Sequence, residues 1–343
     1  MVLLKNKMMF FKNLYNSYLA FCEQKRYREK RNELSSMRIY MSEACNANCN
    51  YCFNKTIRKD SHMDRSKALL LFDYLHINGI KSLKIMGGEP TVHPNFKELY
   101  KEAQLRFNNV ALFTNALNDM VLKITPRKDD SVIYNFVFIN DNFLYDKLLP
   151  QNNSGFPRVF EIVIDHSTNM DALKDKIDMV ADKCNQLGVL SFCFQLTINC
   201  MVNIFAYRDS INNKMKSLLI FLLNKYPKHY SFDHTVPLCF WDDEVISFME
   251  SNGIDYFKKT CRGKDFGLID ANLNLLHCNQ YPVVLTSMIK NGHFISFDRV
   301  MDLLKESNEG KKERNFYKMC STCKYFPKQC TGGCMIHKDF IKK

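Results

Sequence analysis

Long apolar runs are missing from this chain. Stretches such as Leu218–Leu223 stop after six residues, whereas a helix that crosses a bilayer needs about 20, so no membrane span is expected. The N-terminus (MVLLKNKMMFFKNLYNSYLAF) has neither a sustained apolar core nor a small-residue cleavage site, which argues against a secretory signal. No internal repeat or low-complexity tract is present, which excludes a repeat architecture. What is there, 343 residues of which 46% are apolar and 24% charged, is the composition of a folded protein with two domains, or one large barrel with an appendage. Lys plus Arg outnumber Asp plus Glu by 48 to 36. That excess suits an acidic peptide, a nucleotide or nucleic acid, or it offsets buried anionic cofactors, because metal-bound thiolates count as neutral in the sum.

Cysteine is abundant: there are 14. With no export signal the expected compartment is the reducing cytoplasm, where clustered cysteines point to metal or catalysis rather than disulfides. Three fall at Cys45, Cys49 and Cys52, and six more between Cys261 and Cys334. The others are Cys22, Cys184, Cys193, Cys200 and Cys239.

Three regions follow from the pattern. Residues 1–36 read as an amphipathic helix with Phe10, Phe11, Leu14, Tyr15, Tyr18, Leu19 and Cys22 on one face. The basic run from Lys25 to Arg31 follows it; the helix covers the main domain or docks an acidic partner. Residues 37–235 alternate strand-like and helix-like segments, with strands at 38–41, 83–86, 110–113, 131–139, 158–165 and 190–199. Asp64 caps a helix that stops at Gly79, Asn95–Phe107 is a second helix, Leu173 to Leu187 carries a clean apolar stripe, and another helix spans 213–225. Six strands with interleaved helices predict an α/β fold, a parallel sheet curled into an open partial barrel or doubly wound, with its chemistry in loops at the C-terminal strand ends. From 236 to 343 elements are short and cysteines dense, which predicts a small α+β domain held by metal more than by an apolar core.

Cys45, Cys49 and Cys52 sit within eight residues of one loop, whose Asn46, Asn48 and Asn50 suit irregular backbone. Three thiolates leave one position open: a water site on tetrahedral zinc, or a free iron on an iron–sulfur cube. The second strand runs into Gly87-Gly88-Glu89-Pro90, where glycines admit a ligand close to the backbone and a carboxylate can hold an ammonium group.

C-x3-C-x2-C with an aromatic before the third cysteine, followed some 35 residues later by GGEP, resembles the radical S-adenosylmethionine (SAM) superfamily over residues 37 to about 235. The resemblance implies a partial (β/α)6 TIM-type barrel. It implies that Cys45, Cys49 and Cys52 ligate a [4Fe–4S] cluster whose fourth iron is chelated by SAM. Gly87, Gly88 and Glu89 would hold the methionine end, Glu89 at the ammonium, with Tyr51 near the adenine. Thr114-Asn115 matches the family's T-N-G turn, although Ala116 replaces the glycine. The ribose-binding residue would be Asn140 or Asp141, with Asn135 an equal rival. An electron from the reduced cluster would cleave SAM to a 5′-deoxyadenosyl radical that abstracts hydrogen from the substrate, with flavodoxin or ferredoxin as the reducing partner.

The C-terminal pattern, Cys261-x16-Cys278 then Cys320-x2-Cys323-x6-Cys330-x3-Cys334, is a metal signature that zinc ribbons and iron–sulfur sites share. After a radical SAM core it resembles the SPASM extension, or its shorter twitch form, with one or two auxiliary [4Fe–4S] clusters. Leu273 stands at the usual turn glycine, and Cys323 to Cys330 is one residue longer than the commonest spacing. Family threading puts Cys334 with Cys261 and Cys278, with Cys239 as fourth ligand. Cys320, Cys323 and Cys330 then form a second site that lacks one cysteine, which His337 or an exogenous ligand would fill. The one-cluster alternative uses Cys261, Cys278, Cys320 and Cys323.

Cys22, Cys184 and Cys193 read as packing residues, and Cys200, ending the sixth strand, as a candidate hydrogen donor. His93 is expected to cap a helix or face solvent, and His166 to contact SAM or make a structural hydrogen bond. The resemblance implies an oxidoreductase that modifies a ribosomally made peptide by crosslinking, epimerisation or oxidation, with a small-molecule oxidase or dehydrogenase as the second reading. Sulfatase maturation is disfavoured, because Asn279 stands where those relatives carry an acid. The first 36 residues are too few for a separate leader-peptide domain. From a different class, a non-enzymatic zinc protein would bind nucleic acid through its positive charge.

Overall fold

A computed structural model describes residues 34–52, 54, 59–139, 155–189, 191–199, 201–233, 236–254, 267–279, 283–314, 320, 322–323 and 330. The expected N-terminal helix, apart from its last residues, and Cys22, Asn140, Asp141, Cys200, Cys261, Cys334 and His337 lie outside the described residues.

The chain opens its sheet with β1 (Ser36–Ser42), whose Met37, Ile39, Tyr40 and Met41 are all buried, as a central strand covered on both faces requires. Helix α1 (Arg65–Ile77) begins where the Asp64 carboxylate accepts from the Lys67 amide, buries Ala68, Leu71, Phe72 and Leu75, and ends before Gly79 in the left-handed region at φ +87°. Then come β2 (Ser82–Gly87), α2 (Phe96–Arg106), β3 (Asn109–Thr114), β4 (Ser131–Asn135), β5 (Arg158–Ile164), α3 (Met170–Gln186), β6 (Phe192–Ile198), α4 (Arg208–Lys225) and β7 (Tyr230–Phe232). The fourth strand is shorter than the expected 131–139, because Asn135 caps a 3-10 turn over Phe136–Phe138. β7 is an addition: a three-residue strand carries too few alternations to register as a pattern.

Neighbouring strands from β1 to β7 pair in parallel and in sequence order. Their C-terminal ends therefore share one edge, where the cysteine loop, the Gly-Gly turn, Thr114-Asn115 and Asn135 all emerge. α5 (Asp243–Ser251) follows. The cysteine-rich region extends the same sheet: β8 (Leu268–Ile269) joins β1 in parallel, and β9 (Asn274–Leu276) and β10 (Val284–Ser287) continue antiparallel. β11 (Ile289–Lys290), β12 (His293–Phe294) and α6 (Phe297–Arg314) complete the described elements. Residues from Ser36 onward form one compact unit. No helix among the described residues is long and apolar enough to cross a membrane.

The helix side of β4–β6 is a packed layer. Tyr134, Phe160 and Phe194 sit side by side in register and contact one another. The α3 stripe Ile177, Val180, Ala181 and Cys184 is buried, and burial pushes the Cys184 thiol up to about 12, as its packing role requires.

Candidate active site

The loop after β1 is clamped to the turn after β2. The Gly88 amide donates to the Ser42 carbonyl and the Glu89 amide to the Ala44 carbonyl, both at 2.8 Å, one residue short of Cys45. A Cβ on Gly87 would lie 1.9 Å from the Ser42 carbonyl oxygen, and one on Gly88 2.3 Å from that of Ala44. The glycines are required because the cysteine loop's own backbone approaches them, a reason the sequence reading did not contain. The Asn54 amide donates to the Gly87 carbonyl and accepts from the Tyr40 hydroxyl. Neither residue carries a sequence signal beyond its position near the motif.

Cys49 has Cys45 and Cys52 as electrostatic neighbours; burial first, then Cys52 and Cys45, push its thiol up. The Cys52 amide donates to the Cys49 carbonyl at 3.3 Å, closing a tight C-x2-C turn. Asn115 braces the loop from the end of β3, with its side-chain amide donating to Asn46 Oδ1 at 2.8 Å and lying 3.9 Å from the Cys45 sulfur. Among the described residues no three Cys, His, Asp or Glu side chains stand close enough to hold a single ion. Zinc would gather its sulfurs on bonds of about 2.3 Å, whereas a cube offers each thiolate its own iron. A loop with three thiols in electrostatic reach of one another fits the cube.

Glu89 is buried, and its carboxylate takes four hydrogen bonds: from the Thr91 amide and hydroxyl, the Thr114 hydroxyl and the Asn115 amide. Burial pushes this carboxyl up while those donors pull it back. The acid therefore locks the ends of β2 and β3 together. Ala116, at the family's glycine, adopts the glycine conformation at φ +54°, so the T-N-G turn keeps its shape without its glycine. Leu273 does the same at φ +62° in the β8–β9 turn.

Tyr51 reaches from the cysteine loop to the opposite wall, where its hydroxyl donates to Asn135 Oδ1 at 2.7 Å. Asn135 pairs in register with Glu161, Glu161 with Gln195, and Gln195 with Ser231. Strand alternation turns this row away from the Tyr134–Phe160–Phe194 layer, so it forms the wall under Tyr51. Cys193 lies on the same face and donates to the Ser231 hydroxyl at 3.2 Å, so it lines the wall and is not part of the helix-side packing. The sequence reading missed Glu161, because a single Glu in an apolar strand shows its partners only once the strands are aligned.

Burial first, then Asp233, push the Glu161 carboxyl up to about 7 against the pull of Gln195. The neutral acid is therefore favoured on folding. This contribution is complete below the ordinary carboxyl value and is lost as pH rises through about 7. Its ceiling is about 3 kcal/mol. Glu161→Gln is expected to melt with wild type near pH 4.5 and several degrees above it at pH 8; a difference in melting temperature that stays constant across pH would refute the assignment.

Other expected residues fall as follows. His93 starts the α2 approach by accepting from the Asn95 amide at 3.0 Å, but it is buried, with Nε2 2.7 Å from the Met63 carbonyl, and does not face solvent. His166 stacks on Tyr207 with ring centroids 3.7 Å apart. Cys278 follows β9 and is an electrostatic neighbour of Tyr40. Cys239 has Cys330, Cys320 and Cys323 as electrostatic neighbours, while Cys261 and Cys334, two of the partners that threading gave it, lie outside the described residues.

The family model described as the Radical SAM superfamily matches residues 39–141. The chain is 31% identical over 93 residues to an S-adenosylmethionine-dependent nucleotide dehydratase of Flammeovirga pacifica, which is 25% of this chain and 32% of that protein. It is 29% identical over 84 residues to the sporulation killing factor maturation protein SkfB of Bacillus subtilis (strain 168), 24% of this chain and 20% of that one. These stretches span less than a third of either relative's own length. In three dimensions the chain resembles Streptococcus suis SuiB bound to its precursor peptide SuiA, with a TM-score of 0.61 at 17% identity, covering 97% of this chain and 78% of that one. That likeness concerns the fold. The cysteine loop, the Gly-Gly edge and the first strands of the parallel sheet that carries them fall in the region, residues 39–141, that matches the radical SAM superfamily.

Proposed function

We propose that the chain is a radical SAM oxidoreductase that modifies a ribosomally made peptide by crosslinking, epimerisation or oxidation, reduced by a flavodoxin or ferredoxin. Cys45, Cys49 and Cys52 would hold a [4Fe–4S] cluster, and the edge of Gly87, Gly88, Glu89, Thr114 and Asn115 would seat the methionine end of SAM. When bound, that pair supplies a 5′-deoxyadenosyl radical able to take hydrogen from an unactivated carbon.

The protein's own part is positional. Glu89, tied to Thr91, Thr114 and Asn115, fixes the separation of the β2 and β3 ends. Asn54 fixes the direction of the Gly87 carbonyl, and Asn115 holds the cysteine loop through Asn46. Tyr51 and Asn135 close one side of the wall. Rigid seating of this kind is what holds a target carbon near a reactive one.

The observation that carries the substrate reading is the Asn135–Glu161–Gln195–Ser231 row with Asp233 beside it. A nucleotide brings phosphates that call for cationic partners; the row has no Lys or Arg and two carboxylates at hand. Peptide amides or a basic side chain would find acceptors there. The excess of positive charge in the sequence thus does not extend to this wall. SkfB, a maturation protein, and SuiB, bound to a precursor peptide, support the peptide reading. The nucleotide dehydratase match speaks for a small-molecule oxidase or dehydrogenase as the second reading.

The test is anaerobic incubation of reduced, iron-loaded protein with SAM and either a peptide encoded by a neighbouring small open reading frame or nucleoside triphosphates. Mass spectrometry that finds a hydrogen pair lost from the peptide, or deuterium gained from D2O, supports the reading. An untouched peptide beside a consumed nucleotide overturns it.

A further inference from the structure

One peptide unit at the Gly-Gly edge is held from both of its ends. The unit that joins Gly87 to Gly88 has a glycine on each side, so no side chain of its own hinders its turning over. Its N–H, on Gly88, donates to the Ser42 carbonyl at 2.8 Å. Its C=O, on Gly87, accepts from Asn54 Nδ2 at 3.1 Å. Ser42 lies three residues before Cys45, and Asn54 two residues after Cys52. The two feet of the cysteine loop therefore grip opposite ends of the same peptide unit. The strand register prepares the first grip. It shifts between Tyr40, opposite Met86, and Ser42, opposite Gly87, so Met41 is an extra residue that kinks β1 at this point.

Asn54 can serve only if its amide faces the right way. A carboxamide is nearly symmetric in shape, and turned over it would set its own oxygen against the Gly87 oxygen. The Tyr40 hydroxyl removes that ambiguity by donating to Asn54 Oδ1 at 3.0 Å. Tyr40 is 3% exposed and Asn54 5%, so neither has water to fall back on when its partner is lost. Tyr40 is itself seated by Met86, Leu268 and Leu276, which ties the relay to β2 and to the β8–β9 pair. Glu89 next door already takes four hydrogen bonds. A carbonyl oxygen accepts two, so the Gly87 carbonyl keeps capacity for an ammonium group.

We propose that Tyr40 and Asn54 are positioning residues for SAM: the relay from Tyr40 through Asn54 holds the Gly87–Gly88 peptide unit in the one orientation that the methionine end requires, and fixes that seat to the cysteine loop. The proposal rests on the reading that the Gly-Gly edge seats SAM. Neither residue touches the reacting atoms. Tyr40 acts through Asn54, and Asn54 through the Gly87 carbonyl. Their loss therefore weakens binding of SAM more than it slows cleavage of SAM already bound.

The test uses the full chain, reconstituted anaerobically, with iron counted per chain and SAM titrated in calorimetry. Tyr40→Phe keeps the ring in its apolar seat and removes one hydroxyl; SAM affinity should fall about threefold to tenfold. Asn54→Ala should lower it at least about 10-fold with iron unchanged, while formation of 5′-deoxyadenosine at saturating SAM falls by less. Because Tyr40 acts only through Asn54, the double variant should bind SAM like Asn54→Ala alone. In the iron-loaded protein without SAM, amide hydrogen exchange over residues 84–90 should quicken in both single variants, a readout that needs no turnover. Asn212→Ala is the folding control: this asparagine is also buried and is bonded to Phe240 and Asp242 instead. It should lower the melting temperature and leave SAM affinity as it is. The proposal is overturned if Asn54→Ala binds SAM like wild type, weakens binding no more than Asn212→Ala, leaves exchange over 84–90 unchanged, or adds its effect in full to that of Tyr40→Phe. A wild-type chain that holds its iron yet binds no SAM defeats the underlying reading and the proposal with it, and that result is seen before any variant is made.

Discussion

Replacing Cys45, Cys49 and Cys52 together by alanine is expected to abolish formation of 5′-deoxyadenosine from SAM under reduction while leaving the fold in place. The loop's ties do not use the sulfurs: the backbone bonds from Glu89 to Ala44 and Gly88 to Ser42 and the side-chain bond from Asn115 to Asn46 all survive the substitution. The side-chain contacts that go are those from Ala47 and Asn115 to the Cys45 sulfur and the one between Tyr51 and Cys49. The melting temperature should therefore stay within a few degrees of wild type, while iron falls by about four per chain. Activity should drop by far more than the 10- to 100-fold that loss of a mere supporting residue brings. Anaerobic iron analysis with product detection by chromatography checks both. A triple variant that keeps its iron at this site, or that still cleaves SAM, would end the assignment.

How much of this was visible in the sequence differs by the kind of signal involved. Spacing survives without structure, so the Cys45–Cys49–Cys52 loop, the GGEP turn and the six expected strands stood out directly, the fourth being shorter than its pattern. Asp64 as a cap and Cys184 on a buried stripe were equally legible, because both are local patterns. Substituted glycines were legible only as departures: that Ala116 and Leu273 take up the left-handed backbone anyway had to be seen. What depends on two strands meeting was hidden. Glu161 has its carboxyl raised first by burial and then by Asp233, and finds its hydrogen-bond partner in Gln195, 72 and 34 residues away in sequence. The turn that carries Cys239 meets Cys330 through the Leu238 amide, 92 residues away in sequence. Glu89 was legible as a carboxylate at a strand end, but its four donors come from β3 and from the turn that follows it, which only the fold assembles.

Gly88→Ala should be strongly damaging, and it separates what the glycine pair does from glycine's general freedom. The residue's backbone is not in the left-handed region, so conformational preference is not the obstacle; space is. The new Cβ would sit 2.3 Å from the Ala44 carbonyl oxygen and 2.5 Å from that of Glu43, both backbone atoms with no rotamer to yield. Relief requires the segment before Cys45 to move away, and that breaks the 2.8 Å bonds from Gly88 to Ser42 and from Glu89 to Ala44. Overpacking of about 1–3 kcal/mol plus two hydrogen bonds of about 1 kcal/mol each gives a loss near 3–5 kcal/mol. The same motion separates the cysteine loop from the edge proposed to seat SAM, so affinity for SAM should fall at least 10-fold in the iron-loaded protein. Gly79→Ala is the control. Its φ of +87° penalises any side chain, yet a Cβ there meets nothing within 4 Å. It should cost about 1–2 kcal/mol and leave SAM binding untouched. Denaturant titration and anaerobic calorimetry on the two variants decide the matter. If both lose stability alike and both bind SAM like wild type, the glycine pair is ordinary turn chemistry and the clamp between the two loops has no bearing on the site.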